Sequence, residues 1–484
     1  MTPSVQIQKT DGNLGVASNT DRILAIIGTA SAGDFDSAFT YTNKTDVTDE
    51  FGSGPLVEAG AYMIARGIPV VLIRANPTTA GDYGTIDDAG VTGTATVTEG
   101  VTAPDGDYDV IVEILTGGAL GTAGIVFRYT LDAGVNWSDP QALGTSLTLT
   151  CARGVSFTLA ASASTLVAGD TWSVSTVAPK SLTADLADSF TALQDYSGEW
   201  LRTLVLAEGD ATILAQCNSF AESFHAEGKY PEVIANTRAR GVDETRATYQ
   251  ASLAAIAAAV QSTEVSCCAD ACEIVSEVNG WRLRMPPSIA YAARLMTIDD
   301  SQDASARSDG ALDGVFLETA DGERRYHDER RFPGLDALGF TTLRTWGGRP
   351  IIPGAYVNNP RLLSGAGSDY QYFQLSALEN RAIEKTYALL SQRLSQGVLV
   401  DPTTGKILEN VARALEDAIN GELRTEFSDP ARCSGVQFIL SRQDNIITTS
   451  TLHFDVRLLP LGYVKHFIGK AGLVKTLAVT LAAA

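Results

Sequence analysis

The chain has 484 residues, 45% of them hydrophobic, with 57 acidic against 36 basic side chains and a net charge of −21. That length suits about three packed domains, and the composition excludes a disordered, collagen-like or disulfide-stapled chain, six cysteines being too few for a disulfide framework. The acidic balance argues against non-specific binding to nucleic acid or anionic membranes.

No apolar stretch approaches the roughly 20 residues of a membrane helix. The opening Met1-Thr2-Pro3-Ser4 lacks a basic segment followed by an apolar core. The expectation is a soluble protein kept in a reducing cytoplasm. The charge is unevenly spread: residues 341–484 hold 15 Lys and Arg against 12 Asp and Glu, a net +3, which leaves −24 to residues 1–340.

In chain order, residues 1–20 are polar with a short alternation at Val5, Ile7 and Lys9, and read as an N-terminal arm. Ile23–Gly28 is a short buried-strand run, Leu56–Arg66 has a helical apolar pattern behind Pro55, and Ile68–Ile73 is the next strand. Strand, helix and strand at this spacing predict an α/β unit. The texture changes near Gly90. Between Val91 and Ala178 there is no lysine and only two arginines, and strand-like runs recur at Thr94–Val97, Val110–Leu115, Ile125–Thr130, Leu147–Cys151, Ser156–Ala160 and Thr171–Val177. Turn-formers such as Pro104-Asp105-Gly106-Asp107 separate them. This spacing predicts an inserted all-β sandwich or barrel domain over 91–178.

The α/β rhythm resumes at Ser181, with helices over 181–196, 210–227 and 243–260 and strands at Thr203–Leu206, Glu232–Ala235 and Glu264–Cys268. The two α/β stretches, 21–90 and 179–335, therefore form one discontinuous domain, with 299–331 as a charged loop or boundary. Residues 336–470 read as a C-terminal α+β domain. One helical face runs through Tyr372, Leu375, Leu378, Ala382, Ile383, Tyr387, Leu390 and Leu394, and a cleaner one through Leu408, Val411, Leu415, Ile419 and Leu423, with Glu409 and Arg413 paired at i+4. Leu452, Phe454, Val456 and Leu458 then alternate with polar residues as a half-buried strand. Residues 471–484 form a C-terminal arm strand. The fold class is thus α/β and α+β multidomain, ending in an exchangeable β-strand.

Catalytic and ligand-binding patterns fail on their own chemistry. Gly28-Thr29-Ala30-Ser31-Ala32-Gly33 has the glycine spacing of a phosphate loop, but Asp34 and Phe35 stand where lysine and a hydroxyl belong. Turn chemistry is the reading. Cys267, Cys268 and Cys272 read as buried thiols, since adjacent residues at a strand end face opposite ways and no second pair completes a zinc set. His225, His327, His453 and His466 are scattered, and no Gly-x-Ser-x-Gly elbow exists. Asp105, Asp107 and Asp109 open like a calcium loop, but Val110 replaces its glycine, and a solvated hairpin turn is expected. No catalytic, cofactor or metal site is identified, which favours a structural role over an enzyme.

The apolar tail raises a physical question. A nine-residue strand exposes backbone donors and acceptors over roughly 30 Å, and only Lys475 blunts it. Either it pairs within its own chain, or Leu473, Leu477, Val479 and Leu481 bury in a neighbour's sheet by strand addition. Such heterologous swaps generate open helical polymers when the rotation does not close.

Three segments resemble the contractile tail sheath proteins of phages and related injection machines. They are Pro286-Pro287-Ser288-Ile289-Ala290-Tyr291-Ala292-Ala293-Arg294, Leu343-Arg344-Thr345-Trp346-Gly347-Gly348-Arg349 and Tyr356-Val357-Asn358-Asn359-Pro360-Arg361-Leu362. Arg307-Ser308-Asp309-Gly310 departs from the family's tryptophan–lysine–alanine–proline pattern. The resemblance implies a homo-oligomer of hexameric rings stacked helically around an inner tail tube protein, with tail terminator and baseplate proteins as further partners. It implies no cofactor, no direct nucleic-acid contact and no membrane contact. The C-terminal domain would face the tube, the terminal arms (Val5 and Ile7; Leu473, Lys475, Leu477, Val479 and Leu481) would form oligomer interfaces, and contraction would drive the tube through a bacterial cell envelope. The protein would be assembled in the host cytoplasm and reside in the virion tail. Trp346 and Arg344 read as core and local ion-pair residues rather than tube contacts. The alternatives are a non-contractile tail or baseplate component and a cytoplasmic α/β enzyme.

Overall fold

The short apolar runs of the first 270 residues assemble into one six-stranded sheet. In the computed structural model, which describes residues 22–465 and 468 except 161–163, 242, 320–324, 348–352 and 366, the sheet order is Val265–Cys268, Glu232–Asn236, Arg202–Glu208, Leu24–Gly28, Val70–Arg74 and Ala38–Tyr41. The first five strands are parallel, and Ala38–Tyr41 closes the edge antiparallel. Parallel strands covered on both faces need apolar side chains at consecutive positions. Accordingly Ala25, Ile27, Val71, Ile73, Val205 and Val233 enter one core with the helices Thr183–Gln194, Ala211–Ser223 and Arg246–Ala259. Leu24, Ile26, Val70, Leu72, Leu204 and Ile234 enter the other with Pro55–Ile64 and Ser288–Thr297.

Helix starts follow local chemistry. Pro55 occupies the first turn behind Gly54. Asp210 accepts from the amides of Thr212 and Ile213, and Thr245 from that of Thr248. The edge strand Ala38–Tyr41 and the helix Lys44–Phe51 have no counterpart in the sequence reading, because both are short and half polar.

Between the two halves of this sheet lie antiparallel strands. Gln141–Ala142, Val126–Thr130, Asp109–Thr116, Thr171–Val177 and Asp82–Tyr83 form one sheet, with Asp87–Gly90 beside Thr171–Val177. Thr148–Thr150, Ser156–Leu159 and Val97–Glu99 form a second. Val112, Ile114, Phe127 and Trp172 of the first share a buried core with Leu149, Phe157 and Leu159 of the second, the arrangement of a small sandwich. Pairing begins at Thr79, opposite Lys180, before the change of composition at Gly90.

The last hundred described residues have their own core. Leu378, Ala382, Ile419, Leu423, Phe427, Phe438 and Leu440 pack together from the helices Phe373–Ser391 and Glu409–Leu423 and the hairpin Gly435–Leu440 with Phe454–Leu459. The helix Phe373–Ser391 spans two cores, since Phe373 and Ala377 belong to the sheet's core and Leu378 and Ala382 to the small one. Its buried stripe is therefore wider than the sequence face predicted, and includes Gln374, Ser376, Asn380 and Thr386. Tyr387 and Leu394, expected inside, are exposed. Tyr387 lies over Gly228, whose φ of +73° and lack of a Cβ leave room for the ring.

At the N-terminal ends of the parallel strands a charged cluster joins the two bodies. Arg202, fully buried, bonds Glu232 through Nε at 3.2 Å, Asp300 through Nη2 at 2.5 Å and the Leu295 carbonyl through Nη1 at 2.8 Å. Arg381 of the long helix reaches Glu232 at 3.0 Å, and Asn380 donates to Glu264 at 2.9 Å. Burying charge is tolerable only with such pairing. Replacement of Arg202 by Ala leaves Glu232 with Arg381 as its one cationic partner among the described residues and empties the buried centre between Glu232, Asp300 and the Leu295 carbonyl, and the expected loss is about 3–5 kcal/mol of unfolding free energy, measured by urea denaturation.

Burial, with Glu232 nearby, pushes the Glu264 carboxyl up to about 7. The folded chain then binds more protons than the unfolded one between about pH 4.5 and 7, so this group's contribution to stability falls as pH rises through that window. Glu264→Gln should remove the fall and unfold at higher urea than the wild type at pH 8, by about 2 kcal/mol, with little gain at about pH 4.5.

Candidate assembly surface

The hairpin Gly435–Leu440 and Phe454–Leu459 is a two-stranded sheet, and its two edges are treated differently by the chain. Register pairs Leu440 with Phe454, Phe438 with Val456 and Val436 with Leu458. The Ser441 amide donates to the His453 carbonyl. In an antiparallel ladder the pairs of the other parity then point their backbone groups outward. On the first strand those of Phe438 and Leu440 are occupied, while those of Val436 have no partner among the described residues. Phe438 donates to Asn420 Oδ1 at 2.7 Å and accepts from Asn420 Nδ2 at 2.9 Å, and the Leu440 amide donates to Glu416 Oε1 at 2.7 Å. Asn420 and Glu416 are one turn apart on the helix Glu409–Leu423, which thus covers this edge. Arg442 holds Glu416 in place with bonds of 2.7 Å and keeps its carboxyl below the usual range.

On the second strand, the outward N–H and C=O groups of Phe454, Val456 and Leu458 have no hydrogen-bond partner among the described residues. The predicted alternation is present: Leu452, Val456 and Leu458 pack against the small core, and Phe454 stacks on Phe438 at 5.3 Å. Phe454 is nevertheless 46% exposed and Leu459 63%. An open edge carrying exposed apolar side chains is a template for another strand. The interface residues expected from sequence, Val5, Ile7, Leu473, Lys475, Leu477, Val479 and Leu481, lie outside the described residues, as does His466.

The positions considered for ligand chemistry have other duties. In the Gly28–Gly33 loop the Ser31 and Ala32 amides donate to the carbonyls of Ser53 and Phe51. Arg74 donates to the carbonyls of Ala30 and Gly33, so the loop offers a guanidinium its oxygens rather than a phosphate its amides. The crevice at the C-terminal ends of Leu24–Gly28 and Arg202–Glu208, the ligand position of many open α/β sheets, is filled by Gly106–Tyr108 and Ala178–Ser181, leaving about 90 Å³.

Cys267 and Cys268 enter opposite cores, and burial raises the thiols of both and of Cys272. Asp105, Asp107 and Asp109 differ from the expected solvated turn. Asp105 is buried and accepts from Ser53 and Tyr108, Asp107 accepts from the Ala178 amide, and Asp109 from Ser175 and Arg325. They fasten the β sheets to their surroundings. His225 stacks on Tyr230, His327 lies 2.7 Å from Glu329, and His453 is exposed beside Asp444.

The three sheath-like segments prove to be fastening points. Pro286 and Pro287 lead into the almost wholly buried helix Ser288–Thr297. Leu343–Arg344 pairs with Tyr356–Val357, and Arg344 stacks on Trp346 and donates to Asn358 at 3.2 Å. Asn358, Asn359 and Arg361 all bond Asp336. Nothing in the sequence spacing announced the capping of one hairpin edge by Asn420 and Glu416. An i, i+4 polar pair on the core-facing side of an otherwise amphipathic helix is the signal that marks it.

A family model described as "DUF2586, N-terminal domain" matches residues 2–361. No curated protein matches the sequence. Among solved structures, a chain in the cryo-EM structure of the anti-feeding prophage (AFP) baseplate, 6-fold symmetrised, aligns with 98% of this chain and 99% of its own length, at a TM-score of 0.51 and 11% identity. A chain of the PVC sheath complex in the contracted state, from an extracellular contractile injection system, aligns over 98% and 97% at a TM-score of 0.51 and 10% identity. The sheath tail protein from Desulfitobacterium hafniense aligns over 95% and 100% at a TM-score of 0.47 and 13% identity. The sheath resemblance read from the sequence thus holds at the level of fold, and along nearly the whole chain.

Replacing Asn420 with Leu removes the cap on Phe438 and leaves its N–H and C=O facing a helix without partners. A loss of about 1–3 kcal/mol is expected by urea denaturation.

Proposed function

The chain belongs to the DUF2586 family and shares a fold with chains of contractile injection machines, and on that premise we propose that it is a structural subunit of a contractile tail sheath. It polymerises as hexameric rings stacked helically around an inner tube, ends against terminator and baseplate proteins, and resides in the tail of a phage or phage-like particle. Contraction is a change between two packings of the polymer that drives the tube through a bacterial envelope. The discontinuous α/β part and the β sheets inserted in it form the outer layer, and the C-terminal α+β part faces the tube. No catalytic step is required of any residue.

The observation that carries this reading is the asymmetric hairpin. A subunit that covers one sheet edge with Asn420 and Glu416 and leaves Phe454, Val456 and Leu458 open has a place for one further strand. The apolar alternation Leu473, Leu477, Val479 and Leu481 would supply a strand of suitable length, and its addition to a neighbour's sheet would propagate where the rotation does not close. Strand addition supplies about 1 kcal/mol per net hydrogen bond, plus side-chain burial.

Negative-stain microscopy of the purified protein tests the reading. The wild type should form rings or striated tubes, and deletion of Leu473–Ala484 should abolish them at the same concentration. Val456→Pro should do likewise, because the lost N–H points away from the ladder and an edge strand accepts proline there. Its melting temperature should stay within a few degrees of the wild type. Tubes formed by the deletion variant would overturn the strand-exchange account, and uniform wild-type monomers would favour a non-contractile component.

A further inference from the structure

Both ends of the described body are held by one short loop. The segment Asp299-Asp300-Ser301-Gln302-Asp303 follows the buried helix Ser288–Thr297, and its backbone is fixed by its own side chains. The Ser301 amide and hydroxyl donate to Asp299 at 3.0 and 2.8 Å, the Gln302 amide donates to the Asp299 carbonyl, and Ser305 donates twice to Asp303.

Onto this loop converge cations from five places in the chain. Arg22, at the N-terminal limit of the described residues, donates to Asp300 at 2.8 Å and to the Leu295 carbonyl at 2.9 Å. Arg202 and Arg381 approach the same carboxylate at 2.5 and 3.5 Å. Arg432, beside the small core, pairs with Asp299 at 2.9 Å. At the other end, Tyr463 donates to the Ser301 carbonyl at 2.5 Å, and Lys465 bonds Asp303, Ser305 and Asn359 while lying over the Tyr372 ring.

The segment 461–465 makes no backbone–backbone hydrogen bond among the described residues. Its position is therefore set by Tyr463 and Lys465, with Val464 between them turned outward, 66% exposed. The carboxylates holding Arg22 and Lys465 belong to residues three apart in the loop, whose Cα atoms are separated by at most about 11 Å. Arg22 and Lys465, far apart in sequence, therefore mark neighbouring points on the body.

We propose that the loop 299–303 is a clasp that fixes the departure points of both terminal arms, with Asp300 and Asp303 as its positioning residues. The consequence rests on the sheath reading: where the arms link neighbouring subunits, load passing from one arm to the other runs through this loop and the buried Arg202 cluster rather than across the hairpin or the outer sheets. The clasp itself is a property of the single chain and is tested there.

Trypsin cuts after Arg22 and after Lys465 only when their side chains are free to enter the protease. Site-resolved mass spectrometry on the full chain carrying Val456→Pro, which keeps it unassembled, reads both rates, with cleavage after Lys470 as the internal reference. Asp303→Asn should speed cleavage after Lys465 by about tenfold or more, and Asp300→Asn should do so after Arg22, each relative to the reference. Tyr463→Phe, which only removes the bond to the Ser301 carbonyl, should speed cleavage after Lys465 by about threefold or more, and it keeps the test open if Asp300→Asn fails to fold. Unchanged rates at both sites in folded variants would overturn the clasp. Because the measurement uses unassembled chains, absence of wild-type tubes would sink the sheath reading alone, leaving the clasp standing or falling on its own result.

Discussion

A buried guanidinium organises this molecule. Arg202 opens a central strand of the parallel sheet, and its three nitrogens engage three different segments: Glu232 of the next strand, Asp300 of the loop beyond the helix Ser288–Thr297, and the Leu295 carbonyl. A lysine has a single charged nitrogen and no planar fork, and does not satisfy this geometry. Arg381 then draws the long helix Phe373–Ser391 onto the same carboxylates. The three arginines hold Asp300 well below the usual carboxylate range, so this carboxylate keeps its charge well into acid. Remove this centre and the sheet, the loop and the C-terminal body lose their common reference.

The sheet then works as a spacer with two distinct ends. Its N-terminal strand ends carry Arg202, Glu232 and Glu264 and receive the C-terminal body. Its C-terminal ends receive Gly106–Tyr108 and Ala178–Ser181 from the antiparallel strands. Open α/β sheets commonly reserve that second end for ligands. Here Arg74 takes the carbonyls of the first strand–helix loop and the remaining crevice is small. The end that elsewhere serves chemistry here serves attachment of the antiparallel strands.

How much of this was legible beforehand depended on where the information resided. Continuous apolar runs such as Leu24–Gly28 and Val70–Arg74 identified buried parallel strands, because only a doubly covered strand needs apolar residues in succession. The helices Pro55–Ile64, Thr183–Gln194, Ala211–Ser223, Arg246–Ala259, Phe373–Ser391 and Glu409–Leu423 and the antiparallel strands Asp109–Thr116 and Thr171–Val177 were equally plain from pattern, whereas Ser288–Thr297 was marked only by the family resemblance. Ala38–Tyr41 and Lys44–Phe51 were not, because an edge strand and a half-exposed helix carry little periodic signal. Periodicity puts Tyr387 on the wrong side because the helix carrying it is buried against two bodies at once, which a single-face pattern cannot express. The covered hairpin edge and the loop 299–303 depend on residues brought together from distant parts of the chain, such as Asn420 with Phe438 and Lys465 with Asp303, and local spacing gives at most one half of such a meeting, as the polar pair Glu416 and Asn420 does, never the partner.

A two-stranded sheet is marginal by itself, and this one is steadied by a helix that covers one edge and by a core of about ten side chains. Had both edges been covered, the hairpin would be finished and inert. Had both been open, strands could add on either side and the register of a polymer would be undefined. Covering one edge at Phe438 and Leu440 leaves the other as a site with a fixed direction, and Tyr463 and Lys465, just beyond the hairpin, are held to the loop 299–303. A directed acceptor and an anchored donor are the two elements that head-to-tail growth requires. On the sheath reading proposed above, the open edge would be the first, and the residues beyond Lys465 would leave from the loop that Arg202 secures.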